Sequence, residues 1–292
     1  MSTYGSGEIE GRKMPKILSD VEVEAYKRNG FHFPVRVMSV EKAQGYRRSL
    51  EAFESSQPGN IRNQIKTKMH LVLTWIYEMV SNPGILDAVE DVLGPNILCW
   101  NATFFTKEAN DPGHVTWHQD ATYWGMDSQD ICSAWIALSP STVESGAMQV
   151  MPGTHHSEIL EHEDTFDKHN LLTRGQKLAK DPDESKAVSL VLQPGELSLH
   201  HVALVHGSKP NRTNDRRIGL AIRYVAPHVK QTGDIQDSAM LVRGKDRFGN
   251  FTAEKPPASD MDAEALAFHS QVLENLAKVK FAGTDHSYKD AV

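Results

Sequence analysis

The feature that most restricts this chain is a succession of short runs of strand-forming residues at 97–105, 115–119, 131–138, 147–151, 187–192, 196–200 and 218–225. Turn-forming pairs separate several of these runs, among them Pro152-Gly153, Pro194-Gly195 and Pro210-Asn211. Many short strands at close spacing, without alternating helices, disfavour a parallel α/β sheet and point to a sandwich or double-sheet jelly roll. Helical signals come first. Ser19 and Asp20 can cap a helix running to Gly30, and Ser39 opens a second that carries Ala43, Tyr46, Leu50 and Phe53. A third is expected over 69–81, and Pro83 starts a fourth that ends at Gly94. A last helix is expected over 260–280, with Leu266, Val272, Leu273 and Leu276 as its apolar positions. The expected architecture is mainly β, with N-terminal helices as a cover and a C-terminal helix.

At 292 residues the chain exceeds the usual domain, yet β-rich folds of this size occur in one piece. A single domain is expected over 14–292. Residues 1–13, with Gly5-Ser6-Gly7 and Ile9-Glu10-Gly11-Arg12, look like a flexible tail or an expression remnant. The interval 155–186 holds eight acids and five bases and no strand signal, which suggests a lid insertion. A net charge of −7 without a basic stripe argues against nucleic acid and anionic membranes as partners. No apolar run reaches the roughly 18 residues a membrane-spanning helix needs. Cys99 and Cys132, each inside an apolar segment, read as buried thiols of a reducing compartment. No charged-then-apolar leader pattern opens the chain, and a cytoplasmic address is expected.

The chemistry concentrates at Trp117-His118-Gln119-Asp120. In a strand, residues two apart point to one side, with Cα atoms about 6.6 Å apart. An imidazole and a carboxylate could thus face one metal, although His-x-Asp alone is a weak signal. A second segment strengthens it: Val205-His206-Gly207-Ser208 lies after another strand and brings a further histidine. Two histidines and one carboxylate leave about three octahedral positions open, as non-haem Fe(II) oxygenases require. Zinc would more often take a third histidine or a glutamate. Arg217 follows His206 across a turn-rich segment and opens an apolar strand. It either grips a carboxylate as a bidentate fork or pairs with an internal acid at the rim.

The order His118-x-Asp120, His206-Gly207-Ser208, Arg217 resembles the phytanoyl-CoA dioxygenase family, the Fe(II)/2-oxoglutarate-dependent oxygenases built on a double-stranded β-helix. Further matching segments are Ala134-Trp135-Ile136-Ala137-Leu138, Glu144-Ser145-Gly146-Ala147-Met148-Gln149-Val150 and Met151-Pro152-Gly153-Thr154-His155. The resemblance covers about residues 20–230. It implies a cupin-like jelly roll in which His118, Asp120 and His206 bind iron. It also implies that Arg217 and Ser208 hold the far carboxylate of 2-oxoglutarate. Lys66, exchangeable in the alignment with Lys68, and Asn101, Thr103 and Trp135 fall on positions lining the same pocket. For Asn101, Thr103 and Trp135 ordinary barrel packing is an equal alternative. The implied cofactors are Fe(II), 2-oxoglutarate as co-substrate and O2, with ascorbate as reductant in vitro.

Iron halogenases of this superfamily lack the carboxylate that stands here as Asp120, so the resemblance implies hydroxylation or a related oxidation, with release of succinate and CO2. A small polar or natural-product molecule is the expected substrate. A fatty acyl-CoA hydroxylase is the alternative, and a non-catalytic jelly-roll binding protein or a cupin-like zinc enzyme comes after it. Tyr123, Trp124 and Met126 are candidates for an apolar substrate wall. Arg223 and Arg243 could meet an anionic group, while His155, His156, His200 and His201 read as structural.

Overall fold

A computed structural model describes residues 15–57, 67–233 and 235–280. The expected tail over 1–13, and Lys66, lie outside the described residues. Helix α1 (Asp20–Asn29) starts from a reciprocal cap: the Ser19 side chain accepts from the Glu22 amide, and the Glu22 carboxylate accepts from Ser19. Gly30 ends it at φ 83°, a left-handed conformation natural to glycine. Strand β1 (Phe31–Arg36) follows; Pro34 in its middle hides it from a strand reading. Helix α2 (Val40–Ser56) precedes α3 (Thr74–Val80) and α4 (Pro83–Leu93), the last capped by Asn82 with Pro83 in its first turn.

The β region comprises β2 (Ile97–Lys107), β3 (Val115–His118), the single turn α5 (Ala121–Trp124), β4 (Ile131–Ala137) and β5 (Met148–Val150). It continues with β6 (His162–Glu163), β7 (Lys177–Leu178), β8 (Val188–Ser189), β9 (Glu196–His201), β10 (His206–Ser208) and β11 (Arg217–Val225). Strands β12 (Ser238–Arg243) and β13 (Thr252–Ala253) lead to helix α6 (Ala263–Lys280). Two sheets form the expected jelly roll, one ordered β1-β9-β4-β11-β2-β12-β13 and the other β3-β10-β5-β8. A third pairing, β6 with β7, lies inside the insertion that was expected to lack strands.

Strand β11 shows why the layers stack. Ile218, Leu220, Ile222 and Tyr224 join the main apolar cluster with Tyr46, Leu50, Ile76, Ile85 and Val89 of the helical cover. The alternate residues, Arg217, Gly219, Ala221 and Arg223, face the smaller sheet. Every residue of β11 is buried, and its two arginines sit on the concave face. Each fully buried Leu or Ile on the helix-facing side contributes about 1.5–3 kcal/mol at most.

Two helices start later than expected. The stretch 69–73 is a 3-10 turn and an extended residue, and the Asp260 carboxylate accepts from the Thr74 amide at 2.7 Å to open α3. Asp260 thereby serves α3 instead of its own neighbours, and α6 begins at Ala263. A buried ionic cluster lies close by. Lys68 Nζ is 2.7 Å from Glu254 and 3.6 Å from Asp237, His70 Nε2 is 2.9 Å from the other Glu254 oxygen, and the Trp100 indole donates to Asp237. Cys99 and Cys132 are free and buried. No helix among the described residues is long and apolar enough to cross a membrane.

Candidate metal centre

Strand β10 lies between β3 and β5, and its register sets His206 opposite His118. The two rings stand 4.1 Å apart, centroid to centroid. Asp120 arrives by a different route from the one its spacing predicts. Strand β3 ends at His118, and Asp120 has helical backbone angles (φ −59°, ψ −37°) at the mouth of α5. The chain turns there, and one Asp120 oxygen lies 3.4 Å from His118 Nε2. One ligand atom from each of His118, Asp120 and His206 falls within 4.8 Å of the others. No other such group of three occurs among the described residues.

The hydrogen bonds settle which atoms face inward. His118 Nδ1 is 2.9 Å from the Thr116 carbonyl, and His206 Nδ1 is 2.9 Å from the Leu204 carbonyl. A carbonyl only accepts, so both Nδ1 atoms carry a proton, which leaves each Nε2 as the atom able to take a metal in the unprotonated ring. Burial pushes the His206 pKa well below the usual histidine value, with the His118 charge acting the same way. Burial alone would raise the Asp120 pKa. The His118 hydrogen bond and the charges of His206, His118 and Arg223 outweigh it and hold the carboxyl well below the usual range. With both Nε2 atoms unprotonated, the two imidazoles and the ionised carboxylate would make the donor set of a divalent transition metal with open coordination positions. The residues present fit that group.

Arg217 points into the same chamber. It is 2 % exposed, and its Nε and Nη2 atoms are buried with no hydrogen-bond partner. Its guanidinium lies over the Trp135 ring at 5.2 Å. Gly219 makes that stacking possible, because a Cβ there would come within 1.9 Å of the indole. Burial lowers the Arg217 pKa to about 10, which still leaves it charged at neutral pH. The inner chamber, about 40 Å³, is lined by His118, Asp120, His206, Ser208, Arg217 and Trp135 among others. Eight of the residues singled out in the sequence thus converge, since Arg223 and His200 line this chamber as well.

The remaining candidates separate. Asn101, Thr103, Tyr123 and Trp124 line an adjoining outer chamber of about 140 Å³ instead. Met126 lines neither chamber; it packs beside the apolar cluster of Trp100, Trp124 and Leu276. Lys68 is excluded from both by its ion pair with Glu254. Arg243 pairs with Asp87 and Glu90 far from the chambers, whereas Arg223 lines both. Arg223 lies over Phe105 and Trp124 at 5.5 and 5.6 Å and, among the described residues, donates to the Ala221 carbonyl at 3.3 Å and to no other group. His200 also lines the inner chamber, its ring 5.0 Å from that of His206. His155 and His156 are tied to the carbonyls of Lys27 and Arg28.

The insertion is bound to the metal motif. Gln119, fully buried, donates to the Ala203 carbonyl and accepts from the Leu160 amide, and its own amide donates to His162 Nε2. Leu171, Leu172 and Arg174 form one wall of the outer chamber. Sequence reasoning missed Lys107, which lies two residues beyond the strand end it assigned. Lys107 is the register partner of Arg217.

Comparisons with known proteins agree with this geometry. The family model for phytanoyl-CoA dioxygenase matches residues 26–219. A probable alpha-ketoglutarate-dependent hypophosphite dioxygenase of Stutzerimonas stutzeri is 31 % identical over 161 residues, covering 54 % of this chain and 55 % of that protein. The human peroxisomal phytanoyl-CoA dioxygenase is 30 % identical over 161 residues, covering 52 % and 46 %. The chain spans about half the length of the curated relatives it matches. Among solved structures, the apo form of the non-heme monooxygenase ThoJ is 35 % identical, with a TM-score of 0.79, covering 88 % of this chain and 96 % of its own. CytC3 with Fe(II) and alpha-ketoglutarate shares the fold, at 24 % identity and a TM-score of 0.61 over 80 % of this chain and 92 % of its own. With the family pattern running through both histidine segments and up to Gly219, the chain belongs to the phytanoyl-CoA dioxygenase family.

Proposed function

We propose that this protein is an Fe(II)- and 2-oxoglutarate-dependent oxygenase that hydroxylates, or otherwise oxidises, a C–H bond of a small molecule and releases succinate and CO2. One observation carries this reading: a three-donor site with open positions shares a chamber with a buried arginine whose outward N–H groups have no partner. His118, Asp120 and His206 would hold the metal, and Arg217 with Ser208 would take the remote carboxylate of the co-substrate. When bound, the metal supplies O2 activation at the expense of the oxo acid. The chain contributes positioning and exclusion of water. Trp135 and Met148 wall the inner chamber, and Leu172 and Phe105 stand where it meets the outer one. With Asp120 in the donor set, no coordination position is reserved for a halide.

Arg223 favours a substrate with an acidic group. Its guanidinium is buried, lines the outer chamber and has no carboxylate within ion-pairing distance among the described residues. Asp120, the nearest acid acting on it, would be committed to the metal. Arg174, on the opposite wall, is already paired with Asp164. A carboxylate or phosphorus oxyanion on the substrate would neutralise Arg223 and hold the rest of the molecule beside the metal. The test is a screen with Fe(II), 2-oxoglutarate and ascorbate in which each small acid is paired with its neutral amide. Succinate formation with acids is expected. Absence of both succinate and O2 uptake across the whole screen would contradict the oxygenase reading.

A further inference from the structure

Lys107 is fully buried on β2, directly across the ladder from Arg217 on β11. Its amino group donates to Ser208 Oγ at 2.7 Å and to the Lys209 carbonyl. Neither Lys107 nor Arg217 has an Asp or Glu within ion-pairing distance among the described residues. Two basic groups side by side are costly to bury, and Asp111 acts on Lys107 only through its more distant charge. The backbone makes room for the arrangement at Gly146, where a Cβ would come within 3.1 Å of Lys107 Nζ and 2.1 Å of the Lys209 carbonyl.

The lysine does not line the chamber; Ser208 and Arg217 do. Ser208 stands between the Lys107 amino group and the cavity. A hydroxyl that accepts from an amino N–H turns its own proton away from it, here towards the space that the unpaired Arg217 nitrogens also face. We propose that Lys107 is a positioning residue which, through Ser208, makes the inner chamber select an oxo acid bearing a second, remote carboxylate. This rests on the oxygenase reading above and adds a group that reading does not use. Burial first, and then the Arg217 charge, push the Lys107 pKa down to about 6 against the opposing charge of Asp111, so the ligand-free protein holds it mainly as the amine at neutral pH and an incoming carboxylate would favour its protonated form.

The test is binding, without turnover. Fe(II)-loaded protein is titrated anaerobically with 2-oxoglutarate and with 2-oxovalerate, which has the same chain with a methyl in place of the far carboxylate. Lys107→Met should raise the Kd for 2-oxoglutarate at least tenfold and leave that for 2-oxovalerate within twofold. Ser208→Ala should do the same, and the double variant should be no worse than either single one, because the lysine acts through the serine. An unchanged 2-oxoglutarate Kd in Lys107→Met, or equal weakening for both ligands, overturns the proposal. If that variant does not fold, the Lys107 13Cε resonance of the wild-type protein decides: it should shift with 2-oxoglutarate and stay put with 2-oxovalerate, and any other pattern overturns it. A wild-type protein that binds neither oxo acid defeats the oxygenase reading and this inference together. A wild-type protein that binds 2-oxoglutarate while Lys107 is indifferent defeats this inference alone.

Discussion

His118 and His206 are register partners on the adjacent antiparallel strands β3 and β10, their rings 4.1 Å apart although 88 positions separate them in the chain (206 − 118). The ladder therefore brings these two candidate donors together without a metal, and Asp120 would complete the set from the turn that follows.

Removing a donor should cost the metal, not the fold. Asp120→Ala is expected to lower Fe(II) affinity about 100-fold or more, since disturbing even a supporting contact of a metal ligand costs 10–100-fold. Metal per chain after anaerobic dialysis measures this. A variant that retains a full equivalent would remove Asp120 from the donor set.

Arg217 should oppose stability while it serves binding. Its two nitrogens without a partner among the described residues and its buried charge destabilise the ligand-free protein. Arg217→Met is expected to leave the Tm of the ligand-free protein unchanged or higher, while raising the 2-oxoglutarate Kd at least about 30-fold, the effect of losing roughly 2 kcal/mol. Thermal melts with and without the oxo acid would show both. A lower Tm with unaltered binding would mean that Arg217 is a structural ion.

Gly219→Ala tests the stacking of Trp135 on Arg217. The added methyl would meet the indole at 1.9 Å, so the ring must move. Overpacking of this kind costs about 1–3 kcal/mol. We expect a denaturation midpoint lowered accordingly and a weakened co-substrate affinity; an unaltered Kd would show that the indole does not orient the guanidinium.

The Glu254 cluster gives a pH signature. Burial would raise the Glu254 pKa, but Lys68 and His70 outweigh burial and hold it at about 2. A depressed carboxylate contributes stability that is fully present above its ordinary value near 4.5 and is lost as pH falls towards 2. Glu254→Gln should destabilise the protein by about 3–5 kcal/mol at pH 7, because it strands Lys68. The gap between variant and wild type should narrow as pH drops below 4.5. A gap independent of pH would place the cost in packing.

The donors were legible because their residue types and chain order are distinctive, and the period of two in β11 puts Arg217 and Arg223 on one face. Geometry beyond that was not. A strand reading of His118 to Asp120 missed that β3 ends at His118, since nothing local announces the turn. The same period in β2 sets Asn101, Thr103, Phe105 and Lys107 in one row. Ending that strand at Phe105 lost the lysine, because Thr106 and Lys107 look like the start of the polar loop that follows. Whether Asn101 and Thr103 serve the inner or the outer chamber depends on how far along the row each lies, which is a matter of sheet register.

Phe105, Asp120, Leu172 and Arg223 belong to both chambers, so the partition between the two is one side chain thick. Whatever occupies one side reshapes the wall presented to the other. Initial rates taken over a grid of two reactant concentrations should therefore give intersecting reciprocal lines, each compound's apparent affinity varying with the amount of its neighbour.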